Sequence, residues 1–491
     1  MYITRLHVKN VKLMRDLQLD FTHEGKPRMW TVFVAENGAC KTTLLQSIAL
    51  AASGPERANQ LADVPSLADL RNPTERAWIN ANFVFGPRLE KWRRFPEKTL
   101  SAQSPIKQVN SSLSIKPNQS TFVGSSSSAP IKALASYSNL VDSSLLDKAI
   151  ALLLNRDQAV TNLTSASSGA EGNPQSTLPS LEQVVILLAA HFSIVSEARS
   201  ESLPGWFVTG YGTQRQLPVP LSTSALTDRV LNRLEPLFGK ASLVGTGFAN
   251  QFADTPRFEP FIDSLKRVFV DNHLLPHVDA VELRGRGGMT QPGDLIRSHS
   301  FEFAFSGQKT KVPATWLSQG YQSTIAWIAD LIGQMYLDIG ETVPLEDMEG
   351  MVLIDELDLH LHPTWQVRLV PVLKRVFPRM QFIVTTHSPM LLPALEQHEI
   401  VMLRLNENGD VVAEAPAASP KLMTGSEIYS SFFNIQKLYP NDLGKELRRY
   451  TFLSSDPTRT DEEDAEMLLL QKKLIDAGLD LGLPPVPREV S

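Results

Sequence analysis

The sequence predicts an α/β fold on mixed sheets, and three observations carry that prediction. Short strand-like apolar runs alternate with helical patterns through much of the 491 residues, the order of an α/β sheet. One run, residues 30–34, leads through Glu36, Asn37 and Gly38 into a helical stretch opening at Lys41. Another, Met351 to Ile354, ends in the adjacent carboxylates Asp355 and Glu356.

The elements follow in chain order. Residues 16–21 alternate apolar and polar side chains, and Ile79, Ala81, Phe83 and Phe85 repeat the pattern, so the first hundred residues read as strand-rich. The helical stretch after the turn covers Lys41 to Ala51. Ten of the thirty residues from Ser101 to Pro130 are serine, and a second polar stretch covers 161–180. Such composition buries too little apolar surface to order itself, so an inserted, partly disordered region is expected, with helical patterns at 145–154 and 181–198. Strand patterning returns at 206–211 and 301–305, followed by a helix over 319–336, a second over 364–376 and a buried strand at 382–386. A strand at 400–405 and the segment 421–433 precede a tail helix near 461–474. That helix has Asp461, Glu462 and Glu463 at its start and Lys472 and Lys473 near its end, matching the helix dipole. The expected division is 1–94, an insertion 95–200, 201–440 and a helical tail 441–491.

Composition bounds the function classes. With 42% hydrophobic and 20% charged residues the chain reads as soluble and globular, and a net charge of -6 neither demands nor excludes nucleic acid. The single cysteine, Cys40, excludes an internal disulfide and a multi-cysteine zinc site and fits a reducing cytosol. The start lacks the apolar core of a signal peptide. The longest apolar run, Val184 to Val195, is broken by His191 and Ser193, so a cytoplasmic location without membrane contact is expected.

Ala35 to Thr43 sits where a strand meets a helix, so backbone amides and the helix N-terminus can cradle a polyphosphate. Lys41 would reach the β and γ phosphates of ATP and Thr42 would ligate Mg2+, with Asn37, Gly38, Ala39, Cys40 and Thr43 lining the loop. The outer glycines of the phosphate-loop pattern are replaced by Ala35 and Cys40, which predicts crowding at the phosphates and reduced activity. Cys40 next to Lys41 admits a redox role or that of a tolerated small residue. Asp355 would hold the metal and Glu356 would polarise the attacking water. His360 and His362 read as strand-end or capping residues rather than metal ligands.

Several motifs together resemble the ABC/SMC-like ATPases, including the RecF and OLD types. Leu317, Ser318, Gln319 and Gly320 look like the ABC signature. The run from Asp355 through Leu357, Asp358, His360 and His362 to Pro363 looks like the extended Walker B segment, His387 matches the switch histidine, and residues 1–10 resemble the first head strand. The resemblance covers about residues 1–90 and 200–440. It implies an ATPase head with Glu356 and His387 catalytic, Asp358 at the D-loop position and ATP sandwiched between two heads. Each signature would then face the other subunit's phosphate loop, in a homodimer or higher homo-oligomer. Gln214 occupies either the Q-loop glutamine position or a plain surface turn.

In the 104 residues after His387 no metal-binding carboxylate constellation is visible, so any nuclease would be another chain. A short head without a long coiled coil resembles the ATPases of bacterial anti-phage systems of the Septu and retron type. That implies a separate effector, an HNH or TOPRIM nuclease, with nucleic acid reached directly or through it. Two alternatives stay open: a RecF/SMC-like repair ATPase touching DNA through Lys91 to Phe95, and a nucleotide-gated scaffold with little hydrolysis. A transporter subunit usually carries a different signature and continuation.

Overall fold

In the computed structural model the described residues are 1–69, 71, 74–84, 108–115, 121–127, 206–215, 228–240, 243–283, 299–305, 308–339, 342–435, 441–479, 481, 485 and 486. The helical patterns at 145–154 and 181–198 and the basic segment 91–95 lie outside them. The chain divides into two compact units, Met1–Lys421 and Leu422–Ser491.

The first unit runs β1 (Tyr2–Val11), β2 (Met14–Asp20), β3 (Thr22–His23), β4 (Lys26–Pro27), β5 (Trp30–Ala35), α1 (Lys41–Ser53), β6 (Ala77–Val84), β7 (Gln108–Ile115), β8 (Val123–Ser127) and β9 (Val208–Tyr211). After short helices between 229 and 271 come β10 (Val278–Glu282), β11 (Ser300–Phe305), β12 (Gln308–Pro313), α2 (Gln319–Ile339), β13 (Gly350–Ile354), α3 (Pro363–Val376), β14 (Met380–Thr386), β15 (Ile400–Leu405) and β16 (Val411–Glu414).

Two sheets dominate. An antiparallel sheet has the order β2-β1-β6-β7-β8, and a six-stranded sheet has the order β16-β15-β5-β14-β13-β9. In the second, β15, β5, β14, β13 and β9 are parallel and only β16 runs the other way. Strands β5, β13 and β14 are buried at every position, which is why they read as unbroken apolar runs. The alternation of β6 marks instead a strand with one core face. Helix α1 is buried along nearly its whole length because it packs against strands of both sheets.

Two strands of the antiparallel sheet lie within the serine-rich stretch. In β7, Ser111, Leu113 and Ile115 are buried while Ser112 and Ser114 are partly exposed. Asn59 fixes the start of β8 by accepting from Phe122 N–H at 2.6 Å and donating to its carbonyl at 3.2 Å. Pairing with β6 supplies the hydrogen bonds and a few apolar residues on one face supply the burial, so a serine count alone does not register these strands.

The second unit contains α4 (Gly425–Phe433), α5 (Asn441–Ser455) and α6 (Asp461–Asp476). Thr424 with Glu427, and Thr460 with Glu463, form capping boxes at the starts of α4 and α6. Tyr450, Leu453, Met467, Leu470 and Leu474 form its small core. Among the described residues no helix is long and apolar enough to cross a membrane, and no group of three or more His, Cys, Asp or Glu side chains is placed to hold a metal ion.

Candidate nucleotide site

Four neighbouring parallel strands deliver the site. The phosphate loop follows β5, Asp355 and Glu356 follow β13, His387 follows β14, and Gln214 and Arg215 lie just past β9. All leave the same edge, because parallel strands end at one side of the sheet, and ligands of open α/β sheets bind beyond that carboxyl edge.

Ala35 closes β5 in strand conformation, paired with Leu403, where a glycine has no advantage. Gly38 has φ +86° and Cys40 has φ +56°, both left-handed, and α1 begins at Lys41. The expected crowding thus resolves into two unequal parts: Ala35 adopts an ordinary conformation, whereas Cys40 bears a backbone cost of about 1–2 kcal/mol. Asn37 and Gly38 are exposed, Ala39 and Thr43 are buried, and Cys40 is half-buried. Lys41 is buried, and its Nζ donates to the carbonyls of Ala35 at 2.9 Å and Glu36 at 2.8 Å. Burial draws its pKa below the ordinary lysine value, while Asp355, Glu356 and Asp358 pull the other way.

Asp355 is the hub. Thr42 donates to its Oδ2 at 2.6 Å and Thr385 to its Oδ1 at 2.6 Å. A threonine hydroxyl and a carboxylate held together form the hard-oxygen donor set that suits Mg2+, so these residues fit the ion. Glu356 follows with φ +47°, its N–H donating to Thr385 Oγ1 at 2.7 Å. Asp358 accepts from Thr386 Oγ1 at 2.5 Å and from the N–H of His387 at 3.4 Å. Burial and the nearby Lys41 ammonium hold the His387 pKa below the ordinary histidine value, against the opposing pull of Glu356, Asp358 and Asp355. Lys41, Asp355, Glu356, Asp358 and His387 therefore share one electrostatic neighbourhood.

Sequence reasoning passed over two of its members. Thr385 bridges Asp355 and Glu356, and its signal was a hydroxyl at the end of a buried strand. Arg215 is buried under the site while its neighbour Gln214 is exposed. Its signal was only its place after Gln214.

Ser318 and Gly320 line a different cleft, of about 620 Å3, with His277, His360, Trp365 and Arg368, and none of the phosphate-loop residues lines it. Ser318 and Gln319 are exposed, and the Ser318 carbonyl accepts from Gln322 N–H at 3.0 Å in the first turn of α2. His362 caps α3, accepting from Thr364 N–H.

Residues 224–392 match the family described as "AAA domain, putative AbiEii toxin, Type IV TA system". With the strand-end site, that match makes the chain similar to P-loop proteins of that family over those residues. The chain is 28% identical over 308 residues to the Septu protein PtuA of Bacillus mycoides (strain KBAB4), covering 62% of this chain and 40% of that protein. It is 44% identical over 88 residues to the Escherichia coli protein named "Retron Ec83 probable ATPase", covering 18% of this chain and 16% of the other. The chain thus spans less than half the length of the curated relatives it matches. A crystal structure of an SMC head bound to the C-terminal winged-helix domain of ScpA aligns with 86% of this chain and 100% of that one, at 15% identity and a TM-score of 0.43.

Proposed function

We propose that this protein binds and hydrolyses ATP, dimerises through the nucleotide, and controls a separate effector, a nuclease, in bacterial anti-phage defence. The observation that carries the catalytic part is the Thr42 to Asp355 hydrogen bond of 2.6 Å, which ties the phosphate loop to the carboxylate strand beneath Glu356. Similarity to a Septu PtuA and a retron ATPase supports the defence role.

In this reading Lys41 and the amides of residues 37–43 bind the triphosphate of ATP. Thr42 and Asp355 would hold Mg2+, which supplies charge neutralisation at the phosphates when bound. Glu356 orients a water and takes its proton as the water oxygen bonds to the γ-phosphorus and the bond to the ADP oxygen breaks. His387, just past the end of β14 beside Asp358, hydrogen-bonds the γ-phosphate. Ser318, Gln319 and Gly320 meet the nucleotide of a second copy, Asp358 lies at that junction, and Gln214 reaches the water and metal from the β9 loop.

The test is ATP turnover with Mg2+ in the wild type and in Glu356→Gln, alongside ATP binding in both. Turnover lost with binding kept supports the ATPase reading, and equal turnover in the two removes it. The defence role is tested by phage challenge of cells carrying this gene with its neighbours. Protection must vanish with Lys41→Ala, and protection unaffected by that change overturns the role.

A further inference from the structure

The ATPase reading gives no task to Arg215, a buried cation beside the two carboxylates. Arg215 is 2% exposed, and its guanidinium donates through Nη1 to the carbonyl of Asp355 at 2.7 Å and through Nη2 to the carbonyl of Glu356 at 2.6 Å. Nε points to Ser323 Oγ, 3.4 Å away on α2, one turn past the Ser318 to Gly320 segment. A surface turn has no need to bury a guanidinium, and burying a cation against neutral carbonyls is costly. The negative charges of Asp355, Asp358 and Glu356 offset part of that cost, while burial still brings the Arg215 pKa down to about 10.

The backbone it grips is the strained one. Glu356 has φ +47°, a conformation that a residue with a Cβ disfavours and that persists only where the surroundings impose it. Here the imposing contacts lie on both sides of the residue. Thr385 Oγ1 accepts from the Glu356 N–H at 2.7 Å, and Arg215 Nη2 donates to the Glu356 carbonyl. The flat guanidinium fork spans two successive carbonyls at once, which the single ammonium of lysine does not reproduce.

We infer that Arg215 is a positioning residue for the ATPase reaction: its fork on the Asp355 and Glu356 carbonyls, backed by Thr385, fixes the left-handed backbone that aims Glu356 at the attacking water. Its Nε–H ties that geometry to α2, so a shift of the signature segment reaches the base through Ser323. This rests on the ATPase reading above. It gives Arg215 no contact with ATP, so the role must show in turnover rather than in nucleotide affinity.

The experiment compares wild type, Glu356→Gln, Arg215→Lys and Arg215→Gln for Mg-ATP turnover, ATP dissociation constant and thermal unfolding. Small misplacements of a reacting group cost up to about a hundredfold, so Arg215→Lys is expected to lower kcat by roughly ten- to a hundredfold with the ATP dissociation constant within about threefold of wild type. Arg215→Gln, which can serve only one carbonyl, is expected to do the same and carries the test if the lysine variant does not fold. A kcat within about twofold of wild type in a folded Arg215 variant overturns the inference, as does a loss of turnover that merely follows loss of ATP binding and of thermal stability. If turnover vanishes in Glu356→Gln while the folded Arg215 variants keep kcat within about twofold of wild type, the positioning role alone fails. If wild type and Glu356→Gln turn over equally, both readings fail.

Discussion

Thr42 and Asp355 lie 313 positions apart in the chain, yet the Thr42 hydroxyl donates to the Asp355 carboxylate at 2.6 Å. Since the same two oxygens would hold Mg2+, the pair predicts a specific metal dependence. Thr42→Val keeps the shape and removes the donor and ligand. Losing a hydrogen bond to a charged group costs about 1.5–3 kcal/mol, so ATP affinity measured with Mg2+ should fall roughly ten- to a hundredfold. Affinity measured with excess EDTA should be unchanged, and Thr42→Ser should behave as wild type. Equal losses with and without Mg2+ would place the pair outside any metal site.

Cys40 carries the local backbone cost of the phosphate loop, at φ +56°. Glycine has no Cβ to resist that conformation, so Cys40→Gly removes a penalty of about 1–2 kcal/mol. Greater freedom in the unfolded chain takes back roughly 0.5–1 kcal/mol. The expected result is an unchanged or slightly raised melting temperature together with tighter ATP binding, read by calorimetry. Weaker binding in Cys40→Gly would show that the cysteine side chain itself is needed at the loop.

How far the site was legible follows from what each residue does. Asp355, Glu356 and His387 stand at ends of apolar runs and Lys41 opens the helix after a strand and turn, and such runs of buried strand residues followed by polar groups are visible in one dimension. The pairing of strands that brings those ends together, β5 between β15 and β14, is not written locally. Arg215 and Thr385 work through hydrogen bonds to the backbone and side chains of distant residues, and neither has a spacing that marks it. Strand β7 escaped because its core face is carried by only a few residues, Leu113 and Ile115 among them, within a run of serines. The capping boxes of α4 and α6 were partly visible: the acidic first turn of α6 could be read, whereas the reciprocal bond of Glu463 to Thr460 needs coordinates.

Gly320 is required for a steric reason. A Cβ placed on it would lie 2.4 Å from the carbonyl oxygen of His360, a backbone atom in a residue that is itself left-handed at φ +63°. The signature segment and the segment after Glu356 therefore touch backbone to side. Gly320→Ala must push one of them aside, at a cost of about 1–3 kcal/mol. Lower thermal stability, with ATP binding at the phosphate loop retained, is the expected result. A melting temperature equal to wild type would mean that the two segments separate freely.

Asp330 offers a test of the buried frame behind the site. It sits on α2 with its Oδ1 accepting from the N–H of Val244 at 3.0 Å and of Gly245 at 3.3 Å, while Tyr211, at the end of β9, donates to Oδ2 at 3.2 Å. Burial dominates these hydrogen bonds and raises its pKa to about 6, from an ordinary value of 3.8. Between those two pH values the folded protein keeps a proton that the unfolded chain has released. The stability from this group is therefore complete below about pH 4 and is lost as pH rises through 6, by about 3 kcal/mol at most. Asp330→Asn cannot titrate, its amide oxygen can still accept from the two backbone N–H groups, and the Tyr211 hydroxyl can turn to accept from its NH2. Other carboxylates titrate in the same range, so the informative quantity is the stability of Asp330→Asn minus that of wild type, from denaturant unfolding at several pH values. It should climb from pH 4 to 6 and level off by pH 7. A difference independent of pH would show that Asp330 is ionised in the fold throughout, with its hydrogen bonds outweighing its burial.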